Sequence, residues 1–285
     1  MPLTCSQKTG VLLVPYGSAS ARAMATYEKI LARYRKDLPG MAILLAFTSP
    51  LMIKRLKERE GISVLNIEEA LDRLSGQGCG KAVVQSLQIV PGGEFHRLIS
   101  LSREYGGKQK DPEKRMMISI GLPLLSSLED CQRVSKALPA LWSSSYPNGL
   151  KNHSDIDPKK EAVLLAGHGT GHPADAIYSQ MARVLKKDHR QVILGTIEGF
   201  PRLSEVLEEL KARDVQKVRL RPFLLVAGGH AENDIAGSGP DSWKSTLEKE
   251  GYQVDVRLAA LGEMDGIVSL LLEHTRRALE QLGSE

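Results

Sequence analysis

Residues Val11-Leu-Leu-Val-Pro-Tyr-Gly-Ser18 and Val163-Leu-Leu-Ala-Gly-His-Gly-Thr170 are two versions of one phrase, 152 positions apart. Each is an apolar run of strand length that ends in a glycine-bearing turn, the form of a β-strand buried on both faces and leading into a loop. Two further correspondences keep the order. Pro50 followed by a helical stretch matches Pro201 followed by another, and Lys81 to Glu94 (KAVVQSLQIVPGGE) matches Lys217 to His230 (KVRLRPFLLVAGGH). The offsets shrink from 152 to 136 along the chain, as they do when an internal duplication keeps its strands and varies its helices.

Around these phrases, short apolar runs alternate with amphipathic stretches. Val11–Tyr16, Ala42–Phe47, Ala82–Val90 and Met116–Leu122 read as strands, and Ser20–Lys36, Pro50–Lys57, Ile67–Gln77, Glu94–Tyr105 and Leu128–Trp142 as helices. Residues Ser143–Lys160, rich in Ser, Pro, Asn, Gly and charge, break the pattern. It then resumes, with strands at Ala162–Ala166, Val192–Ile197, Val218–Val226 and Val254–Leu258 and helices near Pro173–Lys187, Leu203–Arg213, Ser242–Glu250 and Gly266–Leu282. The expected fold class is α/β: two similar domains, each a four-stranded parallel sheet flanked by helices, with the active-site cleft between them. The expected boundaries are 1–145, a linker at 146–160, and 161–285.

Composition narrows the function. The 285 residues are 42% hydrophobic and 25% charged, an ordinary globular balance with no apolar run long enough to span a bilayer. The polar N-terminus lacks the pattern of a secretion signal, so the expected location is cytoplasmic, with no membrane partner. A net charge of +4, evenly scattered, with only 5% aromatic residues, argues against nucleic acid and suits a small acidic ligand. Cys5, Cys79 and Cys131 are far apart and in no CxxC spacing, so all three read as free thiols. No GxxxxGK[ST] or GxGxxG stretch is present, and neither an ATP-driven nor an NAD-dependent reaction is indicated. Base rates for compact α/β enzymes point to a homo-oligomer.

In parallel sheets the chemistry sits beyond the carboxyl ends of the strands. In the second half three consecutive strand ends carry His168 within Gly167-His-Gly169, Glu198 before Gly199-Phe-Pro201, and His230 after Gly228-Gly229. Two imidazoles and a carboxylate form a first shell for a borderline divalent metal with positions left open, and the same groups accept protons. His172 follows in the same loop, but the glycines between do not favour a helical HxxxH pair. The first-half positions matching His168 and His230 are Tyr16 and Glu94, and the neighbourhood matching Glu198 is Phe47-Thr48-Ser49. Metal-binding residue types are thus concentrated in the second half, leaving Tyr16, Gly17, Ser18, Gly92, Gly93 and Glu94 to shape the substrate side. Glu94 either reaches metal or substrate or caps the helix it opens. Ser18 stands in no GxSxG elbow and reads as a turn or N-cap residue.

With these residues in place, the chain resembles the class II tetrapyrrole chelatases, above all the anaerobic sirohydrochlorin cobalt chelatases of cobalamin synthesis. The resemblance runs nearly the whole length. It is carried by Pro15-Tyr16-Gly17-Ser18, Ala46-Phe47-Thr48-Ser49, Val84-Gln-Ser-Leu87 with Gly93-Glu94, Gly121-Leu-Pro-Leu-Leu125, Gly167-His-Gly169, Glu198 with Pro201, and most specifically Leu224 to Lys244 (LLVAGGHAENDIAGSGPDSWK). It implies that His168, Glu198 and His230 hold the incoming metal and that a histidine helps remove the pyrrole protons. It also implies Co2+ as the substrate metal, with Fe2+ or Ni2+ as alternatives, no ATP, and sirohydrochlorin or precorrin-2 as the tetrapyrrole. Arg22, Lys54, Arg55, Arg97 and Arg202 are the bases available to its carboxylates. The chain departs from the family at Pro15-Tyr16, where Ser-Phe is common, and at Gln88, where a His is common. A different class of function, a noncatalytic metal or haem carrier, would use the same cleft, with His96 as an accessory ligand.

Overall fold

The computed structural model describes residues 8–108, 115–142 and 159–283. Cys5 and nearly all of the expected 146–160 linker lie outside the described residues. Eight strands and nine α-helices are described: β1 Lys8–Val14, α1 Ala21–Asp37, β2 Ala42–Leu45, α2 Pro50–Glu60, α3 Ile67–Gly76, β3 Cys79–Ser86, α4 Gly93–Lys108, β4 Met117–Gly121, α5 Leu128–Ala137, β5 Glu161–Gly167, α6 Ala176–Asp188, β6 Val192–Thr196, α7 Leu203–Ala212, β7 Lys217–Phe223, α8 Trp243–Lys249, β8 Gln253–Val256 and α9 Asp265–Gly283. Each expected strand is found, with the apolar tails of the β3 and β7 runs leaving the sheet to become site loops.

Both sheets are four-stranded and parallel, in the orders β2-β1-β3-β4 and β6-β5-β7-β8. The orders are identical once the repeat is aligned, so the duplication seen in the sequence is a duplication of topology. In each sheet the winding direction reverses beside the first strand of the repeat, between β1 and β3 and between β5 and β7, which is where such sheets open a crevice at their carboxyl ends. The central strands are buried because both faces are covered. Val11 to Val14 and Ala162 to Ala166 are at most 1% exposed. Capping residues fix where helices start: Ser49 accepts from Met52 N–H ahead of α2, Asn66 and Glu69 form a reciprocal box on α3, and Ser127 accepts from Asp130 N–H on α5.

The chain forms two compact units, one reaching Leu124 and including the chain from Val268 onward, the other Leu125–Ile267. This grouping differs from the expected 1–145 and 161–285 division by two helices. α5 belongs to the second unit, where Ser135 Oγ donates to Asp188 at 2.8 Å and the His189 ring nitrogen pairs with Ser135 C=O at 3.0 Å. Most of α9 belongs to the first unit, where Thr275 Oγ1 donates to Gln85 Oε1 at 2.8 Å and lies 3.0 Å from Tyr34 Oη. Hydrophobic periodicity locates a helix but does not say which of two similar sheets it covers. No described helix is long and apolar enough to cross a membrane.

Candidate metal-handling site

In the second unit, β5 ends at Gly167 and β7 at Phe223, adjacent strands paired along Glu161–Gly167 and Lys217–Phe223. The loops beyond them bring His168 and His230 together across the point where the winding reverses. Gly169 turns the first loop with φ +77°, a conformation that a side chain would strain, and any Cβ there would strike the Gly199 backbone. After Gly228-Gly229 the chain closes one wide helical turn at Ala231–Ile235, in which Ala236 N–H donates to Ala231 C=O at 3.0 Å. That turn places Asp234 on the same side as His230.

The two imidazoles meet edge to face, with ring centroids 4.4 Å apart and an interplanar angle of 89°. Their Nε2 atoms are 3.2 Å apart. Both Nδ1 atoms face oxygen acceptors: that of His168 lies 2.9 Å from Gly169 C=O, and that of His230 lies 2.6 Å from the Asp234 carboxylate. A carbonyl and a carboxylate accept, so each Nδ1 carries a hydrogen and each Nε2 is turned toward the other ring. The approach of the two Nε2 atoms leaves room for a proton or a divalent ion shared between them. Two imidazole nitrogens each about 2.1 Å from one divalent ion lie about 3.0 Å apart at a right angle and about 3.4 Å apart at the tetrahedral angle. The observed spacing falls between these limits.

Glu198 is brought to the same place but to the other side of His168, its Oε2 3.8 Å from Nδ1. Its side chain is 56% exposed, against 36% for His168 and 52% for His230. The three expected ligands are therefore neighbours, with the Nε2 atoms of the two histidines next to one another and Glu198 nearest the Nδ1 of His168. Among the described residues no three His, Cys, Asp or Glu side chains stand ready as a complete metal sphere. An open pocket of about 510 Å³ adjoins Glu198 and is lined also by Thr170, Asp175, Phe200 and Arg202. Arg202 is the basic candidate nearest this site in the chain. His172 is used otherwise, its Nδ1 accepting from Ala174 N–H at 3.1 Å to open the short turn before α6.

The residues of the first unit expected to face the substrate occupy the equivalent strand ends. Tyr16 is 43% exposed beyond β1. Gly17 has φ +112° and packs so closely on Phe47 that a Cβ would come 2.5 Å from its ring. Ser18 is a turn residue, its Oγ accepting from Ser20 N–H at 3.2 Å. Gly92 C=O accepts from Phe95 and His96 N–H, so the Gly92-Gly93 pair opens α4 and sets Glu94 in its first turn. There Glu94 accepts from Thr48 Oγ1 at 2.9 Å. His96 is an exposed residue of α4 beside Phe95. Gln88 is tied to backbone, donating to Val14 C=O and accepting from Leu124 N–H.

Two acidic residues that the sequence reading passed over bear on the site. Asp234 holds His230, and the signal for it was the i, i+4 spacing, hidden because the preceding glycines argue against a helical turn. Asp175 accepts from the backbone N–H of both Thr170 and Phe200.

The model of the family described as "Cobalt chelatase (CbiK)" matches residues 9–280. Among curated proteins, the chain is 34% identical over 284 residues to the sirohydrochlorin cobaltochelatase CbiKC of Nitratidesulfovibrio vulgaris, covering 99% of this chain and 93% of the relative. It is 29% identical over 282 residues to the sirohydrochlorin cobaltochelatase of Salmonella typhimurium, covering 98% and 99%. Among solved structures, the sirohydrochlorin chelatase SirB from Bacillus subtilis subspecies spizizenii in complex with cobalt superposes with a TM-score of 0.66 at 16% identity, covering 98% of each chain. That likeness confirms the fold of two parallel four-stranded sheets flanked by helices. With a family model spanning nearly all of it and a full-length relative above 30% identity, the chain belongs to the cobalt chelatase (CbiK) family.

Proposed function

We propose that this chain is an enzyme that inserts Co2+ into sirohydrochlorin, or its reduced relative precorrin-2, without ATP, and that His168 and His230 hold the metal before transfer. The observation that carries the reading is the pair of Nε2 atoms 3.2 Å apart, each with its Nδ1 committed to an acceptor. The family membership and the printed activity of the two full-length relatives support it. Buried thiols at Cys79 and Cys131 accord with a cytoplasmic location.

The chemistry follows from charge balance. A free macrocycle carries two inner N–H groups, so taking up a divalent ion releases two protons. As the metal leaves the histidine pair, the lone pairs that held it are freed, and one of the two protons is taken up between His168 and His230. Glu198, exposed on the Nδ1 side of His168, passes the second proton to solvent. Tyr16, Gly17, Ser18, Gly92, Gly93 and Glu94 form the substrate-facing ends of the first sheet, and the cationic side chains, Arg202 foremost, receive the carboxylates of the macrocycle. A His/His/Glu set does not by itself choose Co2+ over Fe2+ or Ni2+.

The test is an anaerobic absorbance assay of sirohydrochlorin with each of the three ions. Wild-type protein is expected to accelerate the metal-dependent spectral conversion, and His168→Ala and His230→Ala to lose on the order of 100-fold or more of that rate. Glu198→Ala is expected to lose less, because its carboxylate stands beside the pair. Stoichiometric metal binding with no acceleration over the enzyme-free reaction would instead identify a metal carrier.

A further inference from the structure

The loops that follow the first two strands of each repeat are joined in the same way in both units. In the second unit Ile197 N–H donates to Gly167 C=O at 3.0 Å and Glu198 N–H to His168 C=O at 2.8 Å. In the first, Thr48 N–H donates to Pro15 C=O at 3.2 Å and Ser49 N–H to Tyr16 C=O at 3.1 Å. His168 thus takes the place of Tyr16, and Glu198 that of Ser49. The turn hydroxyls also correspond, Thr170 Oγ1 accepting from His172 N–H as Ser18 Oγ accepts from Ser20 N–H.

One feature is added in the second unit. Asp175 Oδ1 accepts from Thr170 N–H at 2.9 Å and Oδ2 from Phe200 N–H at 2.7 Å. Thr170 lies two residues after His168, and Phe200 two residues after Glu198, so one carboxylate holds the two loops at matching points. The corner is filled to contact: a Cβ on Gly199 would collide with the Asp175 carboxylate, and one on Gly169 with the Gly199 backbone. The corresponding stretch of the first unit, residues 18–25 (SASARAMA), contains no acidic residue, yet its loops make the same backbone pair. The fold can therefore build these loops without the carboxylate. It is present in the unit whose loops carry a histidine and a glutamate.

We infer that Asp175 is a positioning residue for metal capture, fixing His168 and Glu198 relative to one another so that His168 Nε2 stays aimed at His230. The inference rests on the metal-holding role proposed above. Outer residues that orient ligands typically contribute about 10–100-fold in metal affinity.

The test uses the full chain with Asp175→Ala and Asp175→Asn, titrated with Co2+ alone by visible absorption and then assayed for insertion. Asp175→Ala is expected to weaken Co2+ binding by about 10–100-fold, alter the Co2+ ligand-field bands and lower kcat, while KM for the tetrapyrrole and the thermal midpoint stay near wild type. Asp175→Asn keeps one acceptor oxygen and is expected to fall between the two. Wild-type Co2+ affinity and bands in Asp175→Ala would overturn the inference. So would loss of Co2+ binding, tetrapyrrole KM and thermal midpoint together in both variants, which marks a purely structural role. If the wild-type chain itself binds no Co2+ while Asp175 variants change nothing, the metal-holding reading fails and takes this one with it; wild-type binding with unaltered variants overturns the positioning role alone.

Discussion

The behaviour of His168 and His230 is decided by atoms on their far sides. An imidazole whose Nδ1 hydrogen is claimed by an oxygen offers its Nε2 lone pair outward, and here a backbone carbonyl and the Asp234 carboxylate claim one each. Replacing Asp234 with Ala frees His230 to take the other tautomer or rotate, and Co2+ affinity is expected to fall about 10–100-fold in a direct titration, with Asp234→Asn restoring part of it. Unchanged affinity in Asp234→Ala would show that the tautomer is set by something else. At this scale the sequence was informative where glycine flanks a candidate side chain: Gly167-His-Gly169 and Gly228-Gly-His230 mark strand-end loops on composition alone. It was silent on Asp175 and Asp234, because each acts through a hydrogen bond whose partner is fixed only when loops fold.

Among elements, the helices α5 and α9 show what alternation of strands and helices does not encode. Gln85 on β3 and Arg221 on β7 stand at equivalent places in the repeat, 136 residues apart, and both are buried. Each is an anchor for the helical segment that sequence order would assign to the other half. Gln85 accepts from Thr275 of α9 and donates to Leu122 C=O at 2.8 Å, while Arg221 reaches Leu141 C=O beyond α5 and binds Asp255 on β8 at 2.6 Å. A polar residue in an apolar strand was visible in the sequence; its partner was not. Burial pushes the Asp255 carboxyl up, but the hydrogen bond and charge of Arg221, with Arg257 and Arg219, outweigh it and hold the carboxyl below its ordinary value. The sign follows: a carboxyl lowered in the folded state stabilises the fold above its unfolded value, about 3.9 for Asp, and that contribution is lost as pH falls through the lower folded value. Asp255→Asn is therefore expected to lower the thermal midpoint at neutral pH and to reduce its drop on acidification below about pH 4, measured by melting at a series of pH values. An unaltered slope would remove Asp255 from the acid response.

For the whole molecule, duplication explains both what was legible and why the two halves differ. Eight strands and their division into two parallel sheets followed from period and repeat, since apolar runs between amphipathic helices leave few topologies. The grouping of the helices did not, because two similar sheets compete for them. The same duplication gives the account a built-in comparison. The first unit presents Tyr16, Ser49 and Glu94 at the strand ends where the second presents His168, Glu198 and His230, and among the described residues only the second brings two imidazole nitrogens together. Co2+ should therefore bind once per chain, in the second unit. The most direct measurement is an anomalous difference map at the cobalt edge from crystals of the Co2+-loaded protein. A single strong peak about 2.1 Å from both His168 Nε2 and His230 Nε2 is the predicted result. A peak elsewhere, with the two imidazoles unligated, would contradict it.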